Sequence, residues 1–325
     1  MKRWLAVIAA VLIAVLIALP WVCDREDRDM NDEERARVSD SAGFAALPRG
    51  TTHYELSGPP SGPLVVLVHG TSGPMTVWDR TAPTLADAGY RVLRFDLYGR
   101  GYSDRPDEDY DLALYVEQIE RLLDSIEGLR AGAEAHGMVV MGSSLGALIT
   151  SEYALQHPQA VRAVALIGPA GFPLQASPLA KLINVPGVAE YMMSVVGDRQ
   201  LVTHHRGYFE EPEAFSAYHD GFASMLRYRD TKRAILRTLR NAPLQSFLDR
   251  YRDFGRLGMP TLVVWGENDA TFPYANHREL LDRVPHAELV TVEATRHLPQ
   301  LERSDVVGPA LVAFLGRVFA PDRAQ

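Results

Sequence analysis

The chain has 325 residues, 47% of them hydrophobic and 23% charged, with a net charge of −8. This is the balance of an ordinary globular protein, and the net acidity, with no local Lys/Arg cluster to reverse it, excludes a phosphate-binding nucleic-acid surface. A single cysteine, Cys23, excludes an intrachain disulfide and a cysteine-based metal site, so the core rests on burial alone.

Lys2 and Arg3 precede the uncharged run WLAVIAAVLIAVLIALPWV, residues 4–22. As a helix it is roughly 28 Å long, about one bilayer hydrocarbon core. Residues 1–23 are therefore expected to form a membrane anchor. A cleaved signal peptide is the rival reading, although ALPWVC lacks the small residues a cleavage site wants. A soluble apolar arm is a third. Lys2 and Arg3 favour a cytoplasmic amino terminus and an extracytoplasmic body, a contrast that Arg25 and Arg28 weaken. Residues 24–43 are charged and read as a tether or solvated helix.

From residue 44 the pattern changes. THYELSG (52–58) reads as a strand, preceded by LPRG as a hairpin turn. Apolar runs follow at 64–70, 90–99, 138–144, 161–171, 260–269 and 287–294. Segments of helical spacing separate them, at 79–88, 112–127, 145–157, 275–284 and 305–319. The alternation predicts an α/β fold with a doubly wound, mostly parallel sheet, formed by residues 44–171 and 258–325. Residues 172–257 offer no buried strand and are too long for a loop, so they are expected to form a helical lid.

The stretch VVMGSSLGAL fits G-x-S-x-G in one register only, with Gly142 and Gly146 flanking Ser144. A strand turning sharply into a helix strains the central residue, and side chains two places away would collide. That makes Ser144 the candidate nucleophile and Ser143 the variable position. A serine needs a base, and the base needs an orienting acid. In the order Ser…Asp…His, the run VVWGENDATFP delivers Asp269, with Glu267 as the rival acid, and VEATRHLPQLE delivers His297. Among the other histidines, His204, His205 and His219 lie in the lid, where they could touch substrate. Oxyanion donors are expected from the backbone N–H of Leu145, after the nucleophile, and of Thr71, in the HGTSGP turn.

The motifs HGTSG, DLYGRGYSDRP, GSSLG, WGENDATFP and RHLPQLERSD, in this order over roughly residues 44–320, resemble those of the α/β-hydrolase superfamily. The resemblance implies the sheet, the lid, a Ser144–Asp269–His297 triad and acyl-enzyme chemistry with no metal or cofactor. The anchor and lid resemble membrane-bound monoacylglycerol lipases, and HGTSGP is similar to the oxyanion turn of meta-cleavage C–C hydrolases. The expected activity is hydrolysis of a lipophilic carboxylic ester, a small-molecule acyl substrate. A C–C hydrolase, a cofactor-free perhydrolase and, from another class, a ligand-binding module that kept the fold are the alternatives. Met192, Met193, Phe209, Phe222, Tyr228 and Phe247 are candidates to line an acyl pocket or to form the lid's own core.

Overall fold

A computed structural model describes residues 2–38, 42–173 and 182–320. Eight strands form one sheet: β1 (Ala42–Leu47), β2 (Gly50–Ser57), β3 (Leu64–Val68), β4 (Arg91–Phe95), β5 (Met138–Ser143), β6 (Val161–Ile167), β7 (Thr261–Gly266) and β8 (Glu288–Val292). The helices are α1 (Lys2–Cys23), α2 (Asp32–Arg35), α3 (Ala82–Asp87), α4 (Leu112–Ser125), α5 (Leu129–His136), α6 (Leu145–Gln156), α7 (Val188–Met192), α8 (Asp198–Arg206), α9 (Ser216–Met225), α10 (Thr231–Asn241), α11 (Leu248–Gly255), α12 (Asn276–Arg283), α13 (Pro299–Glu302) and α14 (Ser304–Val318).

The strand order is β1-β2-β4-β3-β5-β6-β7-β8. The pairings from β4 through β8 are parallel, and the β1–β2 hairpin joins β4 antiparallel. Every residue of β3, β5 and β7 is buried, as a sheet covered on both faces demands. Side chains alternate between two cores: Val66 and Val140 pack with α4 and α6, while Val65, Val139 and Met141 pack toward α3 and α14. The strands end earlier than their apolar runs. The run at 90–99 stops at Phe95, 161–171 at Ile167 and 260–269 at Gly266. The surplus residues form the carboxyl-end loops. β8 is a half-exposed edge strand rather than a buried one. Helix α5, which the spacing did not single out, connects α4 to β5.

Between β6 and β7 the chain leaves the sheet for a helical cap, α7 to α11. The first eight residues of the expected lid run beyond Pro173 fall outside the described residues. A π-helical segment, Met193–Gly197, joins α7 to α8 as one continuous helical run. Helix α1 is exposed along its length and has a mean hydropathy of 2.9, long and apolar enough to cross a membrane. It lies against the π segment, and the Tyr191 hydroxyl donates to the Leu16 carbonyl at 2.8 Å.

The acidic segment after α1 is docked rather than free. Arg28 pairs with Tyr228 in a parallel bridge, the Tyr228 hydroxyl donates to Glu34 (2.7 Å), and Glu26 accepts from the backbone N–H of Lys232 (2.7 Å). The Lys232 ammonium, 3% exposed, reaches Asp24 at 2.7 Å and Asp198 at 3.2 Å. This strap ties the end of α1 to α8 and α10. Lys232→Ala would leave two half-buried carboxylates facing each other. We expect a loss of about 2 kcal/mol, discounted from the value of a fully buried pair because Asp24 and Asp198 are partly solvated. Differential scanning calorimetry should show a Tm lower by roughly 3 °C. An unchanged Tm would mean that the strap does not hold the cap.

Candidate active site

The chain leaves β3 for β4 on one side and returns to β5 on the other. The loops after β3 and β5 therefore diverge at the switch point of the sheet, where open α/β sheets place their ligands. Ser144 sits there between β5 and α6, with φ 56° and ψ −116°, a strained conformation for a residue with a Cβ. Its N–H is tied to the Ile167 carbonyl at 2.9 Å and its carbonyl accepts from Ala147 at 3.0 Å. Both flanking glycines are sterically required. A Cβ on Gly142 would lie 2.1 Å from the Gly146 oxygen, and one on Gly146 would lie 2.3 Å from the Val68 oxygen.

His297, in the loop after β8, and Asp269, in the loop after β7, meet with Nδ1 2.8 Å from Oδ2, both side chains buried. The other carboxylate oxygen of Asp269 accepts from the N–H groups of Thr271 (2.8 Å) and Phe272 (3.0 Å). Glu267 is exposed and its backbone pairs with Val292. The His297 backbone N–H donates to the Tyr208 carbonyl of the cap at 3.0 Å, so the cap braces the histidine loop. Nε2 of His297 is buried without a hydrogen-bond partner among the described residues, in a compartment that Ser144 also lines. An imidazole held this way can exchange a proton with a group seated on Ser144.

The turn Gly70–Thr71–Ser72 lies above Ser144; a Cβ on Gly70 would come within 3.0 Å of the serine Cβ. His69 fixes this turn. Its Nε2 accepts from the Leu97 N–H at 2.9 Å, so its Nδ1 carries the proton and donates to the Gly70 carbonyl at 2.8 Å. Burial pushes His69 down to about 4, keeping the ring neutral. The Gly70 carbonyl and the Thr71 N–H belong to one trans peptide and point in opposite directions. Anchoring the carbonyl on His69 therefore turns the Thr71 N–H away from His69. The buried Arg100 guanidinium holds the next carbonyl, of Thr71, at 2.9 Å, and reaches Thr238 of the cap at 2.8 Å. Leu145 is the first residue of α6, so its N–H has no partner inside the helix. The positive end of α6 thus lies directly beside Ser144, where it favours negative charge.

Two spaces open on Ser144. One is a cavity of about 950 Å³ whose walls include Met192, Met193, Val196, Ile235, Leu239 and Phe272. No Asp, Glu, Lys or Arg is among its described lining residues. His204 also lines it from a residue that is otherwise solvent-exposed; desolvation of its ring and the nearby His297 hold it below its ordinary value. The other space is a compartment of about 10 Å³, room for about one water, on the His297 side.

The expected lid residues divide. Met192 and Met193 line the large cavity, but Phe209, Phe222, Tyr228 and Phe247 do not. Phe222 forms a small cap core with Met225, Leu226 and Ile235; Phe209 packs on Phe215; Phe247 packs on Tyr251; Tyr228 lies under the strap. Phe222 turns inward because the amphipathic cap helices must cover one another as well as the cavity, while Phe209, Tyr228 and Phe247 lie in the connections between those helices. Arg100, Tyr208 and Ile183 belong to the site region and were not foreseen. Arg100 stands inside the DLYGRGYS motif, a signal that was available, whereas Tyr208 and Ile183 carry none.

A family model described as alpha/beta hydrolase fold matches residues 63–304. The chain is 27% identical over 254 residues to a 2-hydroxymuconate semialdehyde hydrolase of Pseudomonas sp. strain CF600, covering 74% of this chain and 82% of that protein. It is 25% identical over 274 residues to the proline iminopeptidase PfmaB of Pestalotiopsis fici, covering 78% and 92%. Among solved structures, a membrane phospholipase A described as a bacterial virulence factor superposes with a TM-score of 0.68 at 22% identity, covering 99% of this chain and all of that one. With the family model spanning most of the chain, and the sheet order and strand-to-helix turn in agreement with it, the protein belongs to the α/β-hydrolase fold family.

Proposed function

We propose that the protein is a serine hydrolase that cleaves a neutral, lipophilic carboxylic ester through an acyl-enzyme. Ser144 attacks the carbonyl, His297 takes the proton, Asp269 orients the imidazole, and the Thr71 and Leu145 N–H groups receive the oxyanion. His297 then protonates the departing alcohol, and water hydrolyses the acyl group. The observation that carries the substrate class is the large cavity beside Ser144, walled mainly by aliphatic and methionine side chains with a few neutral polar ones such as Gln200, Gln245 and Asn276, and without charged ones among the described residues.

Helix α1 supports a substrate drawn from a membrane. Tyr191 binds α1 at Leu16, seven residues before its end, or roughly 10 Å along the axis. If α1 is an anchor, the cap face bearing Val185, Val188 and Val196 lies at the bilayer interface, and Val196 also walls the cavity. Lys2 and Arg3 favour a body outside the cytoplasm. The phospholipase A of similar fold agrees with a lipid ester.

The test is a p-nitrophenyl ester series of increasing acyl length, with monoacylglycerols, on the full chain in detergent. If each added methylene is buried, kcat/KM should rise up to about fourfold per carbon until the cavity fills. A flat response, or activity on acetate alone, would defeat the lipophilic reading. The Pseudomonas relative favours C–C cleavage as the second reading. Its acidic substrates would carry a carboxylate, for which the described cavity wall offers no cation. Cleavage of a dienoate in the absence of esterase activity would reverse the order.

A further inference from the structure

The cap carries a histidine pair that the proposed chemistry leaves unused. His205 Nδ1 lies 3.0 Å from His219 Nδ1, and His219 Nε2 lies 3.0 Å from the Pro212 carbonyl. The carbonyl can only accept, so His219 carries its proton on Nε2 and presents a lone pair at Nδ1. His205 must then donate from Nδ1. Its Nε2 is left as a bare acceptor, and this tautomer is fixed by the chain of bonds rather than by pH. Burial, with His219 and His204 nearby, pushes His205 down to about 3, in accord with a neutral ring.

The His205 ring is fully buried, stacked on Phe222 with centroids 4.1 Å apart and an 8° tilt, and on Tyr218 at 5.0 Å. Its Nε2 has no hydrogen-bond partner among the described residues, nor does the buried Tyr218 hydroxyl. Both converge on one point: a Cβ on Gly73 would meet the Tyr218 oxygen at 2.3 Å and His205 Nε2 at 3.8 Å. The absence of a side chain at Gly73 keeps that space open. It is the small compartment lined also by Ser144 and His297, whose Nε2 is the third buried nitrogen or oxygen there without a partner. One acceptor on His205, one acceptor on His297 and one hydroxyl, around room for about one water, describe a water site.

We propose that this compartment seats the water that hydrolyses the acyl-enzyme, with His205 as a catalytic residue for deacylation and His219 as its positioning residue. The inference rests on the acyl-enzyme reading above. The acyl chain occupies the large cavity, whose walls do not include His297; the water occupies the small one, whose walls do. The water donates one hydrogen to His205 Nε2 and the other to His297 Nε2, and accepts from the Tyr218 hydroxyl, leaving a lone pair for the acyl carbon. Its oxygen bonds to that carbon as its proton passes to His297. The bond from carbon to the Ser144 oxygen then breaks, and His297 returns the proton to the serine. Acid leaves and the free hydroxyl is restored.

The experiment is stopped-flow hydrolysis of a p-nitrophenyl ester by the full chain, with intact-mass measurement of the quenched enzyme. His205→Phe keeps the stack on Phe222 and removes the acceptor; Tyr218→Phe removes a single oxygen. In His205→Phe the rate of the first p-nitrophenol release should stay within about twofold while kcat falls roughly 10- to 100-fold, and the acyl adduct should accumulate. Tyr218→Phe should shift the same two phases in the same direction, by roughly 3- to 10-fold. Equal loss in both phases, or no change in either variant, overturns the water site. Failure of the unmodified chain to form an acyl adduct with any ester would instead overturn the acyl-enzyme reading.

Discussion

Ser144→Ala is expected to reduce turnover by roughly 10⁶-fold, while its neighbour Ser143→Ala stays within about tenfold of the unmodified chain. The two hydroxyls are one residue apart and face different worlds. Ser144 occupies the strained turn at φ 56° and lines both spaces above the sheet. Ser143 is the last residue of β5; its hydroxyl is fully buried and accepts from the Gln300 amide at 3.0 Å. Removing the Ser143 hydroxyl leaves that amide without its partner, a stability cost of about 1–3 kcal/mol with no direct effect on a reacting atom. Removing the Ser144 hydroxyl removes the only group on the turn that can form the acyl bond. A fluorophosphonate should label the unmodified chain and Ser143→Ala but not Ser144→Ala. Labelling of Ser144→Ala, or a dead Ser143→Ala that is still folded, would assign the chemistry to the wrong serine.

The register of that motif was legible because its constraint is local: two missing Cβ atoms beside one strained residue can be read from five letters. The sheet was legible because strands buried on both faces leave apolar runs that solvent-exposed segments cannot carry. What escaped depends on partners distant in sequence. The segment from Asp24 to Glu34 is charged and looks solvated, yet Asp24 pairs with Lys232 and Asp27 with Arg227 some 200 residues later. The cap aromatics were ambiguous for the same reason. A helix such as α9 announces an apolar face, but not whether that face meets a cavity or another helix, and Phe222 met Ile235. The compartment behind Gly73 was illegible because its polarity comes from a tautomer fixed at Pro212, a fact of hydrogen-bond geometry that residue types do not encode.

Asp269→Asn is expected to lower turnover by about 10⁴-fold, although it changes neither size nor shape. The reason is a conflict of donors. One oxygen of Asp269 accepts from the Thr271 and Phe272 N–H groups, and the other faces His297 Nδ1. An asparagine must set its own oxygen toward the two N–H donors, because its NH₂ group would meet them donor to donor. Its NH₂ then points at His297. To avoid a second clash the imidazole moves its proton to Nε2, and that nitrogen becomes a donor that cannot take the serine proton in the proposed mechanism. Asp269→Ala imposes no tautomer, so its activity should be no lower than that of Asp269→Asn. Glu267→Gln, on an exposed side chain two residues away, should remain near the unmodified level. The kcat of the three variants on one ester, with circular dichroism to establish folding, decides the matter. A folded Asp269→Asn that keeps more than a tenth of the activity would mean that the carboxylate does not govern the histidine, and a collapse in Glu267→Gln would move the acid to that position.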